Sequence, residues 1–259
     1  MPDTVIRNAT IIDGTGAPRF VGDVSIEDGH ITEIGEISGS AIDLEVDAAD
    51  LVLAPGFVDV HTHDDGALVQ HPDMTFKVSQ GCTSVVVGNC GFSAIPAVTG
   101  ESTLDLSGVE ASWSDLDGYR DAVEGLNPAV NAMMLVGHNT IRTLEMKGER
   151  GAPNDRQLSR MQEHVELAMQ QGACGFSTGL IYRPGRWADT EEVLDLAKVV
   201  APFGGIYATH MRNENDHLLE AVDEALHIGT EAGVWVQISH HKAAGRRNWG
   251  KVTESLAKV

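Results

Sequence analysis

The sequence has little positive charge and little cysteine, and each scarcity excludes a class of protein. Lysine and arginine number 18 against 38 aspartates and glutamates, which gives a formal net charge of −20. Nucleic acids and anionic membrane surfaces are bound through basic patches, so we expect neither as a partner. Three cysteines in 259 residues are too few and too scattered for a disulfide framework.

Long apolar segments and targeting segments are also missing from the sequence. No apolar run approaches the roughly 18 to 20 residues that a membrane span requires. The first residues, Met1 to Arg7, do not join a basic segment to an apolar core, so they do not resemble a signal peptide. We therefore expect a soluble cytoplasmic protein whose partner is a small molecule, and the sequence leaves its oligomeric state open.

Two parts of the chain differ in their hydrophobic pattern. Residues 1–54 alternate apolar and polar side chains between turns, which predicts a small β-rich segment, half of a β-sandwich. Residues 55–259 repeat strand and helix patterns, which is typical of an α/β protein with a parallel sheet. Strands are predicted at about 57–62, 83–88, 129–137, 174–177, 205–209 and 234–239. These six strand–helix units are fewer than a closed (β/α)8 TIM barrel requires, so the pattern predicts an incomplete barrel.

The most informative motif is the run from Ala54 to Asp65, in which two histidines stand one residue apart after a strand-like segment. Alternate side chains of a strand share a face, so His61 and His63 are predicted to point to the same side. Neutral imidazoles in that arrangement can bind one divalent metal ion. A pair of exposed loop histidines is the alternative, and the preceding strand with its acidic neighbours favours the metal site.

Three further predicted strand ends carry cysteine or histidine. Cys90 lies in a glycine-flanked turn after the second barrel strand, His210 follows the fifth, and His240 and His241 follow the sixth. Active sites of parallel barrels lie at the C-terminal ends of the strands, so we expect these side chains to converge on a metal ion. Strand alternation allows only one of His240 and His241 to face inward.

These motifs together resemble the D-aminoacylase (N-acyl-D-amino-acid deacylase) branch of the amidohydrolase superfamily. The run from Ala54 to Asp65 is similar to the start of the superfamily barrel. The narrower branch is indicated by four segments: Gly88 to Gly91, Gly175 to Tyr182, Ala208 to Arg212 and Ile238 to Lys242. The resemblance implies hydrolysis of an N-acyl-D-amino acid to a carboxylate and a D-amino acid, with zinc polarising the amide carbonyl and activating water.

The resemblance also implies roles for individual residues. Cys90, His210 and His240 would hold a tightly bound zinc, with the thiolate in place of the carboxylated lysine of related hydantoinases and dihydroorotases. His61 and His63 would belong to a second, weaker metal position. Substrate contacts are implied at three further positions: Tyr182, Lys242 and Arg212. The alternatives are rim packing for Tyr182 and a surface salt bridge for Lys242.

Relatives in this branch carry two more barrel units, and their eighth strand ends in an aspartate that acts as metal ligand and general base. We assign no catalytic residue within this chain and expect the 259 residues alone to be inactive. Two other functions stay open: a cyclic-amide hydrolase of the hydantoinase or dihydroorotase type, and a non-catalytic truncated barrel. The predicted fourth strand, Cys174 to Ser177, offers no lysine for carboxylation, which argues against the cyclic-amide hydrolase.

Overall fold

Alternating apolar residues near the N-terminus form a five-stranded sheet in the computed structural model, which describes residues 2–41, 43–97 and 112–259. The chain divides into the units Met1–Phe57 and Val58–Val259. The strands of the first sheet are β1 (Thr4–Ile11), β2 (Phe20–Glu27), β3 (His30–Gly35), β4 (Leu44–Asp47) and β5 (Val52–Leu53). β1 pairs antiparallel with β2 and parallel with β4 and β5.

The barrel part contains a six-stranded sheet in which the strands follow one another in chain order. They are β6 (Phe57–Asp59), β7 (Cys82–Val87), β8 (Asn131–Gly137), β9 (Gly175–Gly179), β10 (Ile206–His210) and β11 (Trp235–Ile238). Every neighbouring pair from β7 to β11 is parallel. The predicted α/β class with its parallel sheet is therefore confirmed. β6 is about half as long as predicted: it ends at Asp59, so His61 and His63 lie in the loop that follows it.

Helices connect these strands, and local capping explains where several of them begin. They are α1 (Ala67–Gln70), α2 (Thr75–Val78), α3 (Leu116–Glu124), α4 (His138–Met146), α5 (Asp155–Gln170), α6 (Thr190–Val200), α7 (Leu218–Ala232) and α8 (Lys251–Lys258). The Asn154 side chain accepts from the backbone N–H of Gln157 at 3.0 Å, and Gln157 returns the bond, which forms a capping box at α5. Among the described residues no helix is both long and apolar enough to cross a membrane.

The main hydrophobic core lies between this sheet and its helices. Met161 and Val165 of α5 and Leu196 of α6 are completely buried in the same cluster as Phe176 of β9. Burial of such side chains contributes roughly 1.5–3 kcal/mol each, so the core holds the strands in register. Because the strands are parallel, their C-terminal ends lie at one edge, and His61, Cys90, His210 and His240 all stand at that edge.

Candidate metal centre

Histidines from three strand ends converge on the sulfur of Cys90, which stands at a fourth. Its Sγ lies 3.5 Å from Nε2 of His61, 3.7 Å from Nδ1 of His210 and 3.6 Å from Nε2 of His240. A tetrahedral zinc with Zn–S near 2.3 Å and Zn–N near 2.0–2.1 Å separates sulfur from nitrogen by about 3.6 Å. All three observed separations match that spacing, and the donor types are those that zinc prefers. Among the described residues, the donor atoms of His61, Cys90 and His240 also lie within 4.8 Å of one another, so these residues fit a zinc ion. By the same measure, His210 groups with Glu214 and His240.

His61 and His63 lie beside one another at the entrance of this cluster. Their ring centroids are 5.5 Å apart in an edge-on arrangement, and the His61 ring is 4.9 Å from that of His240. Burial lowers the pKa of His61 to about 4, and the neighbouring imidazoles act in the same direction. Burial also lowers the pKa of His63. Both rings are consequently neutral near pH 7, which is the form that ligates metals.

The protonation state of the Cys90 thiol depends on its burial and on the charges beside it. Burial, together with the negative charge of Glu214, raises the pKa of its thiol to about 12. A divalent cation acts against both effects, because the thiolate is the form that binds metals and its formation releases a proton. The sulfur is therefore a thiol in the apoprotein near neutral pH and requires a metal to become a thiolate.

Cys90 occupies a strained turn that only a particular sequence permits. Its φ of 54° lies in the left-handed region, between Gly88 at 78° and Gly91 at 81°. Such a conformation costs a residue with a side chain roughly 1–3 kcal/mol and persists where surrounding contacts enforce it. The end of β9 is one of those contacts, because a Cβ at Gly179 would lie 2.0 Å from the carbonyl oxygen of Cys90. A glycine at this strand end is thus required for the turn to fit.

Buried polar side chains fix both ends of the same turn. Asp65 accepts from the backbone N–H of Gly88 at 3.2 Å and from that of Ala94 at 3.0 Å. Burial raises the pKa of Asp65 to about 6, although the backbone N–H groups act against this rise. Ser177 of β9 accepts from the Gly91 N–H at 3.0 Å. These bonds place the cysteine sulfur independently of any bound metal.

Asp65→Asn is expected to loosen this turn. The amide can still accept one backbone hydrogen bond but presents an NH2 group to the second N–H, which leaves a buried donor unpaired. That loss costs about 1–3 kcal/mol of unfolding free energy. Denaturant unfolding of the apoprotein measures this loss of stability. Asp64→Asn, at the partly buried neighbouring residue, is the control. Equal stability of parent and Asp65→Asn would contradict the bracing role.

His240 and His241 have different surroundings. Nε2 of His240 faces Cys90, whereas Nε2 of His241 lies 2.9 Å from Oγ of Ser255 in α8. β11 ends at Ile238, and His240 itself has a φ of 35°. The geometry brings His240 into the cluster and places His241 against the last helix.

The three residues implied as substrate contacts also lie in different surroundings. The Tyr182 ring is 4.6 Å from that of His210 and is 42% exposed, so it stands at the rim of the cluster. Nζ of Lys242 lies 2.5 Å from Oε1 of Glu214. The Arg212 guanidinium points to α7, where Nε and NH2 donate to Glu224 at 2.9 Å. The structure therefore groups Tyr182 and Lys242 with the metal-ligand candidates and pairs Arg212 with a carboxylate.

Sequence reasoning gave no individual role to Asp65 or Glu214, although the acidic pair that includes Asp65 counted in favour of the metal site. Both lie inside strand-end motifs that were recognised for their histidines, in the runs 54–65 and 209–214. An acidic residue close behind a candidate ligand is a usable signal, because carboxylates commonly orient ligating histidines. The partner that each carboxylate takes depends on the tertiary fold.

The chain is similar to known proteins over 99% of its length. The amidohydrolase family model matches residues 44–255. The D-aminoacylase of Alcaligenes xylosoxydans xylosoxydans is 41% identical over 261 residues, which cover 99% of this chain and 54% of that protein. This chain therefore spans about half the length of the curated relatives it matches.

Solved structures give the same relationship. An N-acyl-D-glutamate deacylase from Bordetella bronchiseptica, complexed with zinc and a phosphonate inhibitor, superposes with a TM-score of 0.94 at 41% identity. The match covers 99% of this chain and 55% of that one. A D-aminoacylase described as having a binuclear metal center gives a TM-score of 0.93 at 40% identity, with the same coverage. The fold and the resemblance found from the sequence are confirmed.

Proposed function

The chain belongs to the amidohydrolase family, and from that membership we propose that it carries the zinc centre of an N-acyl-D-amino-acid deacylase. The observation that supports this most is the set of sulfur–nitrogen separations of 3.5, 3.6 and 3.7 Å around Cys90. Two relatives of 40–41% identity, a D-aminoacylase and an N-acyl-D-glutamate deacylase, contain metal at their centres. By analogy with these two relatives, we propose N-acyl-D-amino acids as the substrate class.

Cys90, His210 and His240 are proposed to hold the tight zinc, and His61 and His63 a second, weaker metal. When bound, zinc supplies Lewis-acid polarisation of the amide carbonyl and lowers the pKa of a coordinated water. The Cys90 sulfur is within 3.7 Å of histidines from both sets, so one thiolate can serve either position. Within the described residues we assign no general base.

The substrate is proposed to enter over the rim that Tyr182 and Lys242 form. The Tyr182 hydroxyl can donate a hydrogen bond to the substrate amide, because its ring stands over His210. The Lys242 side chain is 49% exposed and offers an ammonium group to the substrate carboxylate. Arg212 is a weaker candidate for that contact: both cations pair with a carboxylate, but the Arg212 side chain is only 32% exposed.

The function is tested by turnover of the full-length gene product loaded with zinc. We expect hydrolysis of N-acetyl-D-methionine at about 1 s⁻¹ or faster, an ordinary rate for an enzyme, and a strong preference over the L enantiomer. A hydantoin is assayed in parallel. Faster opening of the hydantoin would support the cyclic-amide hydrolase instead, and zinc binding with no turnover of either substrate would support a non-catalytic protein.

In a full-length relative, replacing both His61 and His63 by alanine is expected to lower turnover far more than it lowers tightly bound zinc. The reason is that the pair belongs to the weaker metal position. A metal ion there would stabilise the charge of the transition state by several kcal/mol, which corresponds to orders of magnitude in rate. Metal analysis after dialysis and steady-state kinetics measure the two quantities together. His217→Ala, at an exposed histidine of the same unit, is the control. Complete and equal loss of zinc and activity would reverse the assignment of the two positions.

A further inference from the structure

Glu214 faces the two cluster histidines from the side opposite Cys90. It follows β10 in the chain and its side chain is 8% exposed. Oε1 lies 2.9 Å from Nδ1 of His240, and Oε2 lies 3.6 Å from Nε2 of His210. One buried carboxylate therefore faces the outer nitrogens of both rings, while their inner nitrogens face the sulfur.

This arrangement decides which nitrogen of each ring is available to a metal. A neutral imidazole carries its hydrogen on one nitrogen and a lone pair on the other, and a carboxylate next to one nitrogen favours the hydrogen there. His240 presents Nε2 to Cys90 and His210 presents Nδ1, so the two rings use opposite nitrogens. Nε2 of His210 is buried and has no hydrogen-bond partner within the part of the chain that the structure describes. Oε1 of Glu214 is an acceptor within hydrogen-bond distance of Nδ1 of His240, and Nζ of Lys242 lies 3.0 Å from the same nitrogen. Oε2 lies 3.6 Å from Nε2 of His210, beyond hydrogen-bond distance, so its effect on that ring is electrostatic.

Glu214 is itself held by two residues that follow β11: Lys242 contacts its carboxylate and Ala244 its backbone carbonyl. Nζ of Lys242 lies 2.5 Å from Oε1, and the backbone N–H of Ala244 donates to the Glu214 carbonyl oxygen at 2.6 Å. A buried carboxylate requires a cationic or hydrogen-bonding partner, because desolvation of an unpaired charge is costly. Lys242 provides the charge and is thereby kept beside His240.

We propose that Glu214 is the positioning residue of this centre: it turns His210 and His240 so that their inner nitrogens meet the metal, and it holds Lys242 at the rim. The proposal rests on the proposed function in one respect, namely that these two histidines are metal ligands. Removal of such a supporting carboxylate typically weakens metal binding about 10- to 100-fold.

The test compares zinc affinity, measured by competition with a chromophoric chelator, among the parent, Glu214→Gln and Glu214→Ala. Glutamine keeps an acceptor for the Nδ1–H of His240, so we expect it to retain more affinity than alanine. The cobalt-substituted proteins give a second readout, because the d–d absorption reports ligand geometry even where no turnover is assayed. We expect an altered spectrum for Glu214→Ala and a parent-like one for Glu214→Gln.

Glu145→Gln is the matched control. Glu145 is an equally buried carboxylate that accepts from Nε2 of His164 at 2.8 Å and from Nε of Arg160 at 2.6 Å, among the outer helices. It should leave zinc affinity and the cobalt spectrum unchanged, which separates positioning from general destabilisation. Thermal unfolding of all variants checks that each is folded.

Two results would overturn the proposal. Parent-like affinity and spectrum in Glu214→Ala would show that the histidines need no carboxylate. Equal loss of metal in both Glu214 variants would make Glu214 a ligand itself, since its oxygens lie within 4.8 Å of the donor atoms of His210 and His240. Failure of the parent to bind any zinc would count against the proposed function instead.

Discussion

Cys90→Ala is expected to abolish tight zinc binding. Apparent binding free energies of structural zinc are about 10–16 kcal/mol, and each of the few ligands contributes a part of that. Losing the thiolate should therefore weaken binding by about 10²- to 10³-fold or more. Metal analysis after dialysis and chelator competition measure the loss. Cys174→Ala is the control, because that sulfur contacts the Met134 carbonyl oxygen at 3.2 Å in the sheet. Unchanged zinc in Cys90→Ala would disprove the ligand assignment.

A second substitution separates the loss of the ligand from damage to the turn. Cys90→Gly also removes the thiolate, but glycine adopts the left-handed conformation without the penalty that a side chain carries. The apoprotein should therefore be as stable as the parent or more stable by about 1 kcal/mol, while zinc is still lost. Cobalt loaded into Cys90→Ser should lack the thiolate charge-transfer band of the parent. A Cys90→Gly protein that retained zinc would require a different third ligand.

The parts of this site that the sequence predicts are those that depend on local pattern and strand direction. The β-branched run of β7 and the buried strand β10 place Cys90 and His210 at one edge of the sheet. Parallel strands then bring these ends together whatever the details of packing. His61 and His63 are predicted from the sequence to share a strand face, whereas they lie beyond the end of β6 and their rings meet in a T-shaped arrangement. The loop, and not strand alternation, brings them together.

The parts that the sequence does not predict depend on contacts between distant segments. β4 and β5 are short strands that pair with β1 and carry too few residues to show an alternation. α4 shows no simple apolar stripe in its sequence, because the polar residues His138, Asn139 and Arg142 are buried together with Ile141 and Met146. Their burial is possible only because other segments supply hydrogen-bond partners, and a pattern of hydrophobicity contains no information about those partners.

Those partners form a buried ionic network between α4 and α6. Glu192 accepts from Nε2 of His138 at 2.8 Å with one oxygen and from the Arg142 guanidinium with the other. The side chains of all three residues are at most 1% exposed. Arg142 also donates to the carbonyl oxygen of Gly151, which fixes the segment that leads into α5. The network thus joins three of the helices that cover the sheet.

Glu192→Ala is expected to destabilise the protein by about 3–5 kcal/mol, because it leaves the buried guanidinium without a counter-charge. Denaturant unfolding measures the change, and Glu191→Ala, an exposed neighbour in the same first turn of α6, should cost little. Replacing Glu192 by leucine and Arg142 by methionine together should recover much of the loss, since apolar residues of similar volume often substitute for a buried ion pair. A double variant as unstable as Glu192→Ala would mean that lost packing, and not the unpaired charge, causes the destabilisation.

Acidification gives an independent measure of the same network. Burial raises the pKa of Glu192, but its hydrogen bonds and charge interactions with His138 and Arg142 outweigh that effect, so the pKa lies below the ordinary 4.5. A carboxyl whose pKa is lower in the folded state contributes stability that is present above its unfolded pKa and is lost as the pH falls through the folded value. The difference in unfolding free energy between parent and Glu192→Ala should therefore be constant above pH 4.5 and shrink below it. A difference that persisted undiminished at lower pH would show that Glu192 acts through packing alone.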